Sequence, residues 1–185
     1  MPEIISDFVN VNHEEVTLEL FYAYPESSTP LPTVIIFHHW AGRDQFCRDK
    51  ATNFAKMGYV GIALDLYGNG KVGKSVAENS ALMEPLVNDR ELLKDRILTI
   101  MDHLKKDARI DTHKIVAIGY CFGGLCALDA VRNNVGLKGA ISVHGLFNPP
   151  PYPLPDTYTA KVLALHGYKD PMVTADQVEA FQSEL

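Results

Sequence analysis

The sequence predicts an α/β fold, a mostly parallel, doubly wound sheet built by one domain over residues 1–185. Three observations carry that expectation. Short β-branched apolar runs such as TVIIF and KIVAIG recur along the chain, and such runs suit strands buried on both faces. Segments whose apolar residues repeat at the helical period separate them. Strands and helices that alternate in this way give parallel pairs joined by right-handed crossovers, with helices on both faces of the sheet.

The elements follow in order. EEVTLELFYAYP (14–25) alternates enough for an early, half-exposed strand, which the loop PESSTPLP ends. TVIIFHH (33–39) reads as a buried strand. In RDQFCRDKATNFAKMG (43–58), Phe46, Ala51, Phe54, Ala55 and Met57 stand at roughly helical spacing, and Gly58 marks the stop. YVGIALDLY (59–67) is a second buried strand and GNGKVGKSVAENS (68–80) a loop. From Val87 to about Lys106, a helix carries one stripe of Leu92, Leu93, Ile97, Ile100, Met101 and Leu104. Arg90 and Arg96 then fall to its solvated face. KIVAIG (114–119) is a strand, FGGLCALDAVRNN (122–134) a helix, GAISVHG (139–145) a strand, NPPPYPLPDTYTA (148–160) a proline-rich loop and KVLALHG (161–167) a strand. TADQVEAFQSEL (174–185) begins a helix, with Thr174 as N-cap and Gln177 in capping-box position.

Composition narrows the function classes. The chain is 46% hydrophobic and 22% charged, an ordinary globular balance. A formal net charge of −6 without a Lys/Arg cluster argues against a nucleic-acid surface. No apolar run approaches the ~18 residues of a membrane span, and MPEIISDFVNVNHEE lacks the basic and apolar regions of a secretory signal. Cys47, Cys121 and Cys126 are odd in number and lack zinc-type spacing. They read as reduced thiols of a cytoplasmic protein.

Two loops carry motif-like strings. GNGKVGKS (68–75) satisfies the P-loop pattern with Gly68, Gly73, Lys74 and Ser75, and it follows a strand. The apolar stripe after it is weak and no Walker B strand is visible, so phosphate binding at 68–75 is the least supported of the functional readings. GYCFGG (119–124) is the stronger signal. Gly119, Cys121 and Gly123 stand in G-x-nucleophile-x-G order between a strand and a helix, the setting of a nucleophile elbow. Such a turn demands tiny neighbours two residues either side, and a helix N-terminus there favours a thiolate and a developing oxyanion. Cys126, inside the helix and without glycine flanks, reads as a core thiol. In the chain order of elbow folds an acid comes next, and Asp170 follows a strand end in LHGYKDP.

GYCFGG, FHHWAG, ALDLYG and LHGYKDPMV together resemble the dienelactone hydrolase family of α/β hydrolases, from about Val16 to Gln182. The resemblance implies an α/β-hydrolase fold and a carboxylic ester hydrolase that opens a small ester, lactone or thioester through a cysteine, with no metal and no cofactor. It puts the nucleophile on Cys121, the acid on Asp170 and the oxyanion-hole amides on Phe122 and Trp40. The partner it implies is a small-molecule substrate. Two positions depart from the family pattern. His39 stands where the lactonase has a glutamate that gates the cysteine, which makes it a candidate auxiliary group; His38 beside it reads as orienting the loop. The family's histidine follows the acid, and none of the seven histidines lies beyond Asp170. His144 reads as a satisfied polar residue. The expectation is a chain truncated at its C-terminal end, without the triad histidine and without the last strand and helix of the fold. The alternatives are a histidine from elsewhere in the chain that substitutes, and a catalytically silent relative that binds a ligand or a protein, which predicts neither an alkylatable thiol at 121 nor an esterase burst. Nothing in the sequence selects the physiological substrate or the oligomeric state.

Overall fold

The computed structural model describes residues 3–184; Met1, Pro2 and Leu185, which the expected domain and final helix include, lie outside the described residues. Strands β1 (Ile4–His13) and β2 (Val16–Pro25) form an antiparallel hairpin in register from Ile4↔Pro25 to His13↔Val16, turning at Glu14 with φ +51°. The sequence signals β2 but not β1. In β1, Val9, Val11 and His13 face inward and alternate with exposed Phe8, Asn10 and Asn12. An exposed phenylalanine on the outer face blurs that alternation in the sequence.

The remaining strands are β3 (Leu31–Phe37), β4 (Val60–Ala63), β5 (Ile110–Tyr120), β6 (Gly139–Val143) and β7 (Lys161–Leu165). They complete one seven-stranded sheet of order β1-β2-β4-β3-β5-β6-β7. The pairs β4–β3, β3–β5, β5–β6 and β6–β7 are parallel, and the two pairs involving β2 are antiparallel. The sheet is therefore mixed and mostly parallel, as expected. It ends at β7, where Leu163 and Leu165 are half exposed.

Helix α1 (Gln45–Lys56) covers one face. Asp44 caps it by accepting the Cys47 amide, and its buried stripe is Cys47, Ala51 and Ala55. Phe46 and Met57, which the sequence reading put on that stripe, are 39% and 69% exposed. The reason is a close approach: a Cβ added to Gly61 of β4 would stand 2.1 Å from the Ala51 carbonyl oxygen, so only small residues fit between helix and sheet. On the other face lie α3 (Arg90–Leu104) and α4 (Phe122–Arg132), whose Leu93, Ile97, Met101, Leu125 and Cys126 join Leu20, Ile35, Phe37 and Ile62 of the sheet in the main core. Helix α5 (Ala175–Glu184) packs Phe181 onto Leu128 of α4 and Phe147, and Thr174 and Gln177 form the expected reciprocal cap. Helices on both faces make the sheet doubly wound.

Three expectations need correction. Residues 76–80 are not loop: α2 (Val76–Asn88) begins at Val76 and continues through Pro85. Ser75 accepts the Glu78 amide while the Glu78 carboxylate accepts the Lys74 amide, and this cap sets the start that the weak apolar stripe concealed. Helix α3 starts at Arg90 rather than Val87, because Asp89 caps it through the Leu92 amide. Nor are Arg90 and Arg96 solvated. Arg90 is 4% exposed and forms a bidentate pair with Asp129 of α4, and Arg96 donates to the Leu66 carbonyl. No helix among the described residues is long and apolar enough to cross a membrane.

Candidate active site

The chain runs from β3 to β4 on one side and then places β5 on the other side of β3. Such a reversal opens a crevice beyond the carboxyl ends of the two strands concerned. The loop FHHWAG leaves β3 there, and GYCFGG leaves β5.

Cys121 is the single residue between β5 and α4, with φ +55° and ψ −116°. A side chain in this region costs on the order of 1–3 kcal/mol and persists only where the surroundings enforce it. Here they do. The Cys121 amide donates to the Val143 carbonyl at 2.9 Å, and its own carbonyl accepts the Gly124 amide at 2.8 Å. The glycines follow from close approach. A Cβ on Gly119 would stand 1.8 Å from the Gly123 carbonyl oxygen, and one on Gly123 would stand 2.2 Å from that of Phe37 and 2.7 Å from that of His38. The first turn of α4 thus lies directly against the end of β3.

Burial works against the acidity that a helix N-terminus lends the thiol. Half-burial holds the Cys121 pKa above its ordinary value, and the Asp170 charge adds to that; the Phe122 amide against the sulfur lowers it but does not prevail. A helix N-terminus is outweighed here by desolvation and a nearby carboxylate. Cys126 is fully buried and its thiol is held high by that burial, as a core thiol should be.

Asp170 stands in the loop after β7, its side chain 3% exposed. One oxygen accepts the Met172 amide at 2.9 Å and the other meets His144 Nδ1 at 2.5 Å. The Met172 amide first, and His144 after it, hold the carboxyl below the usual carboxylate range against the opposing effect of burial. His166 Nδ1 lies 3.9 Å from the same oxygen. The sequence reading missed His144 as the partner of Asp170. A signal was available: β5, β6 and β7 are consecutive neighbours, so the residues just past their ends, Cys121, His144 and the 166–170 loop, gather along one rim.

The β3 loop is held from below. His38 is fully buried, its Nε2 accepts the Leu66 amide at 3.2 Å and its Nδ1 stands 2.7 Å from the His39 carbonyl. Burial pushes its pKa down to about 4, so the ring is neutral at ordinary pH. The Tyr67 hydroxyl donates to the Trp40 carbonyl at 2.7 Å. Asp65, also fully buried, collects the amides of Glu19, Tyr67, Gly68 and Gly70 and so fixes the loop that carries Leu66 and Tyr67.

Residues 18–185 match the description "Dienelactone hydrolase family". The chain belongs to the dienelactone hydrolase family. A Yersinia pestis protein whose name assigns it to the carboxymethylenebutenolidases is 31% identical over 183 residues, covering 91% of this chain and 67% of that protein. A Bradyrhizobium protein named as a 2-oxo-3-(5-oxofuran-2-ylidene)propanoate lactonase is 26% identical, over 98% of this chain and 77% of its own. Among solved structures, a dienelactone hydrolase-like promiscuous phosphotriesterase from metagenomic libraries superposes with TM-score 0.91 at 25% identity, over 98% of this chain and 76% of that one. A ferulic acid esterase from Streptomyces cinnamoneus shares the fold, with TM-score 0.75 at 17% identity, over 100% of this chain and 71% of that one.

Within the family frame, His39 has partners of its own. Its Nε2 meets the Asp44 carboxylate at 3.1 Å and its Nδ1 accepts the Ala41 amide at 3.2 Å, so both nitrogens are engaged between the loop and the start of α1. The 68–75 string is equally committed. Amides that a phosphate would need point at the Asp65 carboxylate, and the Glu78 carboxylate occupies the start of α2. Among the described residues, no group of three or more His, Cys, Asp or Glu side chains is placed to hold a metal ion. A cleft of about 480 Å³ between the proline-rich loop and α5, lined by Phe147, Leu154, Tyr158 and Phe181 among others, includes neither Cys121 nor Asp170.

Proposed function

We propose that this member of the dienelactone hydrolase family cleaves a small carboxylic ester, lactone or thioester through a covalent acyl intermediate on Cys121. The observation that carries the reading is the enforced left-handed conformation of a cysteine set between strand and helix at the reversal of the sheet. The sulfur gives its proton to a base and attacks the acyl carbon, the amides of Phe122 and Trp40 receive the developing oxyanion, and collapse of the tetrahedral adduct breaks the acyl C–O or C–S bond, the alcohol, enol or thiol leaving with that proton. Water then releases the acid and regenerates the thiol. The lactonase and carboxymethylenebutenolidase names of the relatives support a ring or open-chain ester as substrate. Cys47, Cys121 and Cys126 are all free, which supports a reducing, cytoplasmic setting.

Because the resting thiol is held protonated, the reaction needs a base, and Asp170 is the group that orients it. The imidazole hydrogen-bonded to Asp170 is that of His144, one position past the carbonyl that takes the Cys121 amide, with His166 farther off at 3.9 Å. The family order puts the base after Asp170 instead. The variant His144→Gln tests the assignment: a loss of about 10² or more in kcat gives the proton to His144, and retained activity refutes that role. The nucleophile is tested with p-nitrophenyl acetate. Cys121→Ala abolishes turnover and the burst, whereas Cys126→Ala keeps both; equal effects in the two variants refute the assignment.

A further inference from the structure

The oxyanion reading requires the Trp40 amide to face the reacting oxygen, and the structure contains a device that aims it. Trp40 N–H and the His39 carbonyl belong to one planar peptide, and no peptide bond of the described chain is cis. The two groups therefore point in opposite directions. Whatever anchors the carbonyl also aims the N–H.

Two donors anchor it. The Gly42 amide donates to the His39 carbonyl at 3.1 Å, closing a turn. The second donor is His38 Nδ1, at 2.7 Å. Its protonation follows from the other side of the ring: the Leu66 amide can only donate, so Nε2 is the acceptor and the proton of the neutral ring sits on Nδ1. The ring is packed edge-on against Tyr67, with centroids 4.4 Å apart, and lies 6.0 Å from the Phe122 ring at the elbow. The next carbonyl, that of Trp40, is held by the Tyr67 hydroxyl. The 65–67 loop thus holds the Trp40 carbonyl directly and, through the Leu66 amide on His38 Nε2, fixes the ring that holds the His39 carbonyl. Among the described residues, no acceptor takes the Trp40 amide.

We infer that His38 is a positioning residue of the oxyanion hole: as the Nδ1–H tautomer it holds the carbonyl of the His39–Trp40 peptide and so turns the Trp40 amide toward an acyl oxygen bound at Cys121. The inference rests on the reading of Cys121 as nucleophile and Trp40 as oxyanion donor, and adds the residue that makes the second donor available.

Asparagine and glutamine separate the two halves of the ring. The amide of His38→Asn reaches the Nδ1 position and can still donate to the His39 carbonyl. That of His38→Gln reaches the Nε2 position and can accept from Leu66 but leaves the carbonyl to Gly42 alone. Two reactions of Cys121 are measured in the full chain: acylation by p-nitrophenyl acetate, which develops an oxyanion, and alkylation by iodoacetamide, which does not. Expected for His38→Gln is a loss of about 10² in acylation kcat with KM within threefold of wild type, alkylation within threefold, and recovery of most of the loss in His38→Asn. Acylation retained within threefold in His38→Gln overturns the inference. So does a parallel fall of acylation and alkylation in both variants, which marks His38 as a fold residue alone. A wild-type chain with neither burst nor label at Cys121 overturns the nucleophile reading itself, and the inference with it.

Discussion

The contact between α3 and the elbow helix α4 should fail when Asp129 is removed. Asp129 is 1% exposed, and its carboxylate takes Arg90 Nε at 2.6 Å and Nη2 at 2.5 Å, with Arg132 Nη1 at 3.5 Å from one of the same oxygens. Removing it strands two buried guanidinium groups to different degrees. Arg132 keeps Glu184 at 2.7 Å and the Phe147 carbonyl at 2.6 Å, whereas among the described residues Arg90 keeps only the Asn148 carbonyl at 3.4 Å. The penalty therefore falls mainly on Arg90. Breaking one buried pair costs about 3–5 kcal/mol, so Asp129→Ala should lose ~4 kcal/mol. With ~2.1 cal/mol/K of unfolding entropy per residue, a chain of this size loses ~0.4 kcal/mol of stability per degree near its midpoint, so Tm should fall by ~10 °C. Urea and thermal unfolding followed by circular dichroism measure both quantities. The double variant Arg90→Met/Asp129→Leu removes both charges and should recover at least ~2 kcal/mol of the loss, because the cost lies in the unpaired charge rather than in the missing attraction. A cost below ~1 kcal/mol for Asp129→Ala, the worth of an exposed pair, would refute the argument that this pair is desolvated.

Two further outcomes follow from the same geometry. Gly123→Ala should lower both esterase activity and stability, the latter by ~1–3 kcal/mol, because the added methyl meets the Phe37 and His38 carbonyls at 2.2 and 2.7 Å; Gly167→Ala, where nothing stands within 4 Å, should leave stability unchanged. Stability should also fall with acid through His38. Its pKa, about 4 when folded against 6.5 ordinarily, means that the unfolded chain binds a proton the folded chain refuses. The loss starts as pH drops below ~6.5, levels off below ~4 and reaches ~3 kcal/mol at most. Urea unfolding of wild type and His38→Asn across that range tests it, and a pH-independent difference between the two would refute it.

The fold was legible wherever one local signal agreed with the burial it implied. TVIIF and KIVAIG became β3 and β5 because β-branched runs have few other uses, and GYCFGG announced its turn because three glycines there each answer a backbone approach under 3 Å. Legibility ended where a residue's role depends on a partner far along the chain. Arg90 looks solvated beside Glu91 and Lys94, yet its partner is 39 residues away on another helix. Phe46 looks like a core residue, but the core beneath α1 is too thin to admit it. The thiol's acidity is only partly legible for a related reason: the helix N-terminus is visible in the sequence, whereas the burial and the Asp170 charge that outweigh it arise only on folding.

His144 shows most clearly how the site emerges from the sheet rather than from a motif. Among the described residues, outside the hairpin turn at Glu14 and the tolerant asparagines Asn69 and Asn134, the non-glycine residues with left-handed φ are Cys121 at +55° and His144 at +56°. They occupy equivalent places on adjacent strands. The Cys121 amide donates to the last carbonyl of β6, that of Val143, and the His144 amide donates to the last carbonyl of β7, that of Leu165, each at 2.9 Å. Each strand thus borrows one more ladder bond from its neighbour just as it turns left-handed, and that bond offsets part of the strain. The same step, repeated once, brings a thiol and an imidazole to one rim of the sheet beside the carboxylate of Asp170, although the three lie in separate segments of sequence. Glycine neighbours betray the first of these turns. The second has Gly145 after it but no glycine before it, so a histidine at a strand end was read as an ordinary polar residue.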